Sequence, residues 1–179
     1  ILDPACGSGG FLVESLRYVW NKLEEKAADL GWPESEIEAE KQRIAIKNLR
    51  GIHCENSLES FHNWSAKTFE DIQPESFDVI VTNPPFGKKL SIDSTEILEL
   101  YDLGHRWNSV PGGVFEKGAL ADKQPPQLLF IERCFQMLRP GGRMGIVLLE
   151  SIFGMPKYQY VVNYIRLQAK INAIVTLPE

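Results

Sequence analysis

The segment Phe77-Asp78-Val79-Ile80-Val81-Thr82-Asn83-Pro84-Pro85-Phe86 decides the fold. Phe77 to Val81 is a short apolar run rich in β-branched residues, the pattern of a buried strand. It stops abruptly. Two successive prolines offer no N–H to a sheet ladder, so the chain must turn out at the strand's end. In open α/β sheets, the carboxyl ends of strands are where ligands bind. The turn presents together a side-chain amide at Asn83, a carbonyl on a restricted backbone at Pro84 and an aromatic face at Phe86. That set suits a planar base with an exocyclic amine. The amine's two N–H groups donate to the Asn83 side-chain oxygen and the Pro84 carbonyl, while Phe86 stacks on the ring.

The opening Ile1-Leu2-Asp3-Pro4-Ala5-Cys6-Gly7-Ser8-Gly9-Gly10-Phe11-Leu12 carries the second signal. It reads as a strand end, a glycine-rich turn and then an amphipathic helix. Glycines permit positive φ and close backbone approach to a ligand. The turn delivers that ligand to a helix N-terminus, where free N–H groups and the dipole favour negative charge. The spacing departs from the dinucleotide fingerprint G-x-G-x-x-G, and Asp3-Pro4 is foreign to it.

Taken together, the two segments resemble the amino-group DNA methyltransferases that make N6-methyladenine, above all the modification subunits of type I restriction-modification systems and related type II enzymes. The similarity continues through Gln127 to Arg133, through Leu138 to Leu148, and into Ile171 to Pro178. It is weakest over residues 56–71 and 91–123. By this resemblance, Asp3, Pro4, Ala5, Cys6, Gly7, Ser8, Gly9 and Gly10 form the S-adenosylmethionine loop, and Asn83, Pro84, Pro85 and Phe86 form the catalytic loop. Asp3 would meet the cofactor's ammonium, and backbone N–H groups its carboxylate. Glu55, at a strand end, matches the family's acid that accepts the ribose hydroxyls. Residues 56–82 are a short interval for the helix and third strand that the family usually places there. Within it Asp71, with Glu70 as competitor, is the match for the aspartate that contacts the cofactor adenine.

The resemblance implies methyl transfer to the N6 amine of a flipped-out adenine in double-stranded DNA. A target atom inside a duplex cannot reach such a pocket otherwise. It also implies a specificity subunit or separate target-recognition domain as partner, with a restriction subunit a further possible one. The alternatives that stay open are another planar amine (cytosine N4, guanine N2 in RNA, or protein glutamine) and a catalytically silent cofactor-binding subunit. A nicotinamide oxidoreductase is disfavoured by the glycine spacing.

Composition agrees. The chain has 179 residues, 44% hydrophobic, enough for one core, and reads as one methyltransferase catalytic domain over residues 1–179. No run approaches the ~18 apolar residues of a membrane span, and the expected location is cytoplasmic. Ile1 opens inside the ligand loop, so the expectation is a piece of a larger protein, without a secretory leader and inactive alone. Cys6, Cys54 and Cys134 have no C-x-x-C spacing and read as reduced thiols. His53, His62 and His105 lack metal-ligand spacing, so no metal is expected. The net charge of −5 is unlike a free-standing DNA binder. Lys88, Lys89, Arg106, Lys117 and Lys123 are candidates for a local basic rim, or for ordinary surface.

The remaining expectations concern elements. Helices are expected over residues 9–30, 34–49, 58–66, 126–138 and 157–169. Strands are expected over residues 51–55, 77–82, 143–149 and 171–177. Residues 87–123 form a long, weakly periodic loop. Apolar contacts of the first helix fall at Phe11, Leu12, Leu16, Val19 and Leu23, and of the second at Ile37, Ile44 and Ile46. The alternation implies an α/β fold, with a mostly parallel sheet and helices on both faces. By resemblance this is the Rossmann-like S-adenosylmethionine-dependent methyltransferase fold, truncated at both ends.

Overall fold

The computed structural model describes residues 1–7, 10–48, 53, 55–87 and 90–176. Its chain divides into two units. The first is Ile1–Ser57, Phe61–Asn83 and Met137–Ile146; the second is Leu58–Ser60, Pro84–Gln136 and Val147–Glu179.

The first unit is built around strand β1 (Phe77–Thr82), which ends where the prolines require. On one side β1 pairs in parallel with a later strand, Leu138–Ile146, matching Val79 to Arg143, Ile80 to Met144, Val81 to Gly145 and Thr82 to Ile146. On its other side Leu2 bridges to Ile80 in the parallel sense, through Leu2 N–H to Val79 O (3.0 Å) and Val81 N–H to Leu2 O (3.1 Å). Flanked on both sides, Ile80 is fully buried, as a central parallel strand requires. The α/β class with parallel pairing expected from the sequence is therefore what this unit contains.

Helix α1 (Gly10–Leu30) packs against β1. Leu12, Leu16, Val19 and Leu23 form a half-buried stripe that ends in buried Ala27, whereas Phe11 is exposed. Gly31, at φ 67°, closes the helix, and Trp32 N–H reaches back to Ala27 O at 3.0 Å. Helix α2 (Glu34–Asn48) then folds onto α1. The Trp20 indole donates to Lys41 O (3.2 Å), and Lys41 Nζ meets Glu24 at 2.5 Å. Ile37 and Ile44 are half-buried, but Ile46 is exposed because it points a different way round the helix. Helix α3 (Ala66–Asp71) is capped by Ser65, whose hydroxyl oxygen accepts from Thr68 N–H.

In the second unit, residues 90–123 are not the loop that the sequence suggests. They hold helix α4 (Thr95–Leu98), a 3-10 turn (Asp102–Gly104) and an antiparallel hairpin of β2 (His105–Val110) and β3 (Val114–Leu120). The hairpin turns at Pro111-Gly112-Gly113, where both glycines take positive φ (91° and 74°). Gly104 is required sterically: a Cβ there would lie 2.1 Å from Leu98 O. Helix α5 (Pro126–Met137) supplies buried Leu128, Leu129, Ile131 and Cys134. Helices α6 (Ser151–Gly154) and α7 (Gln159–Gln168) add Ile152, Val161 and Ile165.

Four further expectations need correction. The expected helix at residues 58–66 is instead a 3-10 turn at Phe61–Asn63 followed by α3. The late strand, β4, spans Leu138–Ile146, not 143–149. Its pairing with β1 shifts between Phe77↔Leu138 and Val79↔Arg143, so Arg139-Pro140-Gly141-Gly142 bulges out of a strand that starts early. Residues 171–176 form no strand: no described segment hydrogen-bonds to them, and Ile174 and Val175 are exposed. Of the strand expected at 51–55, residues 51, 52 and 54 lie outside the described residues, and His53 and Glu55 are not in a strand.

Candidate functional site

Parallel pairing of Leu2 with β1 brings two chain ends side by side. Asp3 follows Leu2; Thr82 and Asn83 follow Val81. Asp3 is buried (6% exposed) and Thr82 more so (1%). The Thr82 hydroxyl donates to Asp3 Oδ1 at 2.5 Å, and Ala5 N–H donates to the same oxygen at 3.0 Å. The second bond is an Asx turn, which fixes the start of the glycine turn. Burial pushes the Asp3 carboxyl above its ordinary value, against the opposing pull of the Thr82 and Ala5 hydrogen bonds. No described residue hydrogen-bonds Asp3 Oδ2.

Pro4 is buried, while Ala5 and Cys6 are half-buried. Gly7 takes φ 50°, and a Cβ there would meet nothing within 4 Å. The turn is therefore open as well as left-handed at this point. Gly10 begins α1, whose first turn carries no acidic side chain to neutralise its N–H groups. Ser8 and Gly9 lie outside the described residues.

Asn83 is exposed at the tip of β1. The next residues open the second unit: Pro84 is buried, Pro85 exposed and Phe86 49% exposed. An aromatic left uncovered just beyond the proline pair is available for stacking.

Glu55 and Asp71 lie elsewhere in the first unit. Glu55 Oε1 accepts from Ser65 N–H (3.0 Å) and Thr68 Oγ1 (2.9 Å), so it supports the N-terminus of α3. The Ser65 N–H, followed by hydroxyl donors, holds this carboxyl below its ordinary value. Thr68 Oγ1 also lies 2.8 Å from Ser65 Oγ and 3.1 Å from His53 Nδ1. Asp71 is the last residue of α3, not the end of a strand, and its Oδ2 lies 3.5 Å from His53 Nε2. The two acids expected at the adenosine half are thus joined through Thr68 and His53, a link that sequence spacing did not reveal.

Other candidates carry less. Arg106 pairs with Asp122 (2.6 Å) and Lys117 with Asp102 (2.7 Å), so two of the five candidate rim cations are partnered on the surface. Lys88 and Lys89 lie outside the described residues, as does Cys54. Among the described residues, Cys6 and Cys134 form no disulfide. Among the described residues no His, Cys, Asp and Glu cluster could hold a metal, and no helix is long and apolar enough to cross a membrane. The buried carboxylate of Glu132 accepts from Asp102 N–H and Leu103 N–H, both at 2.9 Å. That arrangement caps the 3-10 turn and is structural.

Sequence comparison places these positions in context. The profile of the family described as N-6 DNA Methylase matches residues 1–179. The chain is 26% identical over 175 residues to the type II methyltransferase M.VspI of Vibrio sp., covering 98% of this chain and 36% of that protein. It is 25% identical over 186 aligned residues to the type I restriction enzyme EcoEI methylase subunit of Escherichia coli (99% and 34%). It is 28% identical over 180 aligned residues to the type I restriction enzyme MjaVII methylase subunit of Methanocaldococcus jannaschii (100% and 29%). The chain spans about a third of the length of these curated relatives.

Proposed function

This chain belongs to the N-6 DNA methylase family, and from that membership we propose that it transfers a methyl group from S-adenosylmethionine to the N6 amine of an adenine swung out of double-stranded DNA. The observation that carries the reading is the hydrogen bond from Thr82 to Asp3. It fixes the root of the glycine turn one residue away from Asn83, so the two loops that the reaction needs start from neighbouring strand ends.

The residues fit the cofactor's amino-acid end. A buried carboxylate with one oxygen that no described residue hydrogen-bonds suits an ammonium, and the acid-free first turn of α1 suits a carboxylate. Gly7 leaves the turn open. In this reading Glu55, whose Oε1 holds α3, is the acid that takes a ribose hydroxyl. In the same reading Asp71, whose Oδ2 lies 3.5 Å from His53 Nε2, is assigned to the cofactor's adenine. When bound, S-adenosylmethionine supplies an electrophilic sulfonium methyl group.

The chain's own residues prepare the amine. The N6 lone pair of adenine is delocalised into the ring and is a poor nucleophile. The Asn83 side-chain oxygen and the Pro84 carbonyl accept its two hydrogens and favour a more tetrahedral nitrogen, whose lone pair is then directed out of the ring plane. Phe86 stacks on the extruded base, and Pro85 keeps the loop from re-entering the sheet. A strong base is not needed before attack, because the proton leaves a cationic product nitrogen readily. Target recognition is assigned to a specificity subunit or separate recognition domain, and the setting is a cytoplasmic restriction-modification system, with a restriction subunit as a further partner. The acidic net charge and the paired Arg106 and Lys117 support leaving most DNA affinity to those partners.

The test is incubation of the full-length protein and its partners with methyl-labelled cofactor and DNA, followed by nucleoside analysis. Label in N6-methyldeoxyadenosine is the expected result. Label in cytosine, in RNA guanine or in protein glutamine, or none at all, overturns the reading. Asn83→Ala should lower methyl transfer by about 10²-fold or more while cofactor binding persists.

A further inference from the structure

Thr82 had no role in the sequence reading. It occupies an inward position of β1, two residues after Ile80, and a buried hydroxyl needs a partner. That partner is not a backbone carbonyl of its own strand but Asp3 Oδ1, 79 positions away, at 2.5 Å. A threonine hydroxyl has one hydrogen, and here it goes to a carboxylate, where hydrogen bonds are short and strong. Asp3 Oδ1 also takes Ala5 N–H, so two donors on one oxygen fix the carboxyl plane and leave Oδ2 unbonded to any described residue. The backbone repeats the tie, through Leu2 N–H to Val79 O and Val81 N–H to Leu2 O. Asn83 follows directly.

We infer that Thr82 is a positioning residue that, through its hydroxyl on Asp3, sets the methyl-donor loop and the amine-holding Asn83 at a fixed separation. The inference rests on the methyltransferase reading and deepens it. A plain packing residue would influence only how much protein is folded. A positioning residue influences both how tightly the cofactor is held and how fast the methyl is transferred, because the same hydrogen bond orients Asp3 and anchors the strand end that carries Asn83.

The test uses the full-length protein with its partners and compares wild type, Thr82→Val and Thr82→Ser. Valine keeps the shape and removes the hydroxyl; serine keeps the hydroxyl. For Thr82→Val, cofactor affinity (titrated with S-adenosylhomocysteine) and single-turnover methyl transfer should each fall about tenfold or more. Thr82→Ser should stay within about threefold of wild type in both. On an Asp3→Asn background, the valine change should add less than it does alone. The inference is overturned if Thr82→Val matches wild type, if serine and valine are equally impaired, or if the valine effect is undiminished beside Asp3→Asn. If wild type itself makes no N6-methyladenine, the functional reading fails first, and the affinity titration still reports on Asp3 alone.

Discussion

Asp3 and Glu55 carry the same chemical group into opposite surroundings. Asp3 sits at the root of the glycine turn, buried, and loses solvent faster than its two hydrogen bonds compensate, so its carboxyl is pushed up. Glu55 sits at the mouth of a short helix and receives a backbone N–H and a hydroxyl, so its carboxyl is held down. Reading the sequence assigns both to the cofactor. The contrast teaches that an acid's location at an element's end does not say how it is used; the donors around it do.

The largest effect that would sharpen this contrast is expected at Asp3. Asp3→Ala leaves the Thr82 hydroxyl and Ala5 N–H without an acceptor in a buried place and should cost about 3 kcal/mol, measured by chemical denaturation of the full-length protein. A loss near zero would break the claim that the turn depends on this carboxylate.

Next is pH. A carboxyl raised on folding contributes most stability below its unfolded value, near 3.8 for Asp3, and that contribution is lost as pH rises through the folded value. A carboxyl lowered on folding contributes above its unfolded value, near 4.5 for Glu55, and the contribution is lost as pH falls through the folded value. Relative to wild type, Asp3→Asn should therefore gain stability between acid and neutral pH, while Glu55→Gln should lose it. Denaturation midpoints from pH 3 to 7 check this. Slopes of the same sign would dissolve the comparison. The smallest effect is Ser65→Ala, which removes the α3 cap and should cost about 1 kcal/mol, read as faster amide exchange in residues 66–71 with little change elsewhere.

What the sequence revealed follows from how local the signal was. β1 is found to the residue because its apolar run and its two prolines are adjacent. α1, α2, α5 and α7 are found within a residue or two because glycine or proline marks at least one end of each, and α1, α5 and α7 carry an apolar stripe as well. The β2–β3 hairpin is missed because β2 is short and polar and its alternation breaks at Ser109, although Pro111-Gly112-Gly113 marks its tip. The strand expected at residues 171–177 had the right composition, but a strand exists only with a partner, and none of the described segments provides one. In the candidate site the two loops are visible as motifs. The Thr82–Asp3 bond and the Glu55–Thr68–His53 chain are not, since they join positions far apart in sequence whose pairing only the fold supplies.

Two glycines of the second unit lead to different rules for chemical synthesis. At Gly112, the backbone torsion is one that a mirror-image amino acid prefers, and an L-type Cβ added there meets nothing within 4 Å, so torsion alone disfavours it. A D-alanine placed there should stiffen the hairpin, whereas its L-enantiomer would strain it. At Gly104 the torsion is ordinary and room decides instead: an L-methyl group there collides with the Leu98 carbonyl. The same residue type thus encodes handedness at one position and sheer lack of room at the other.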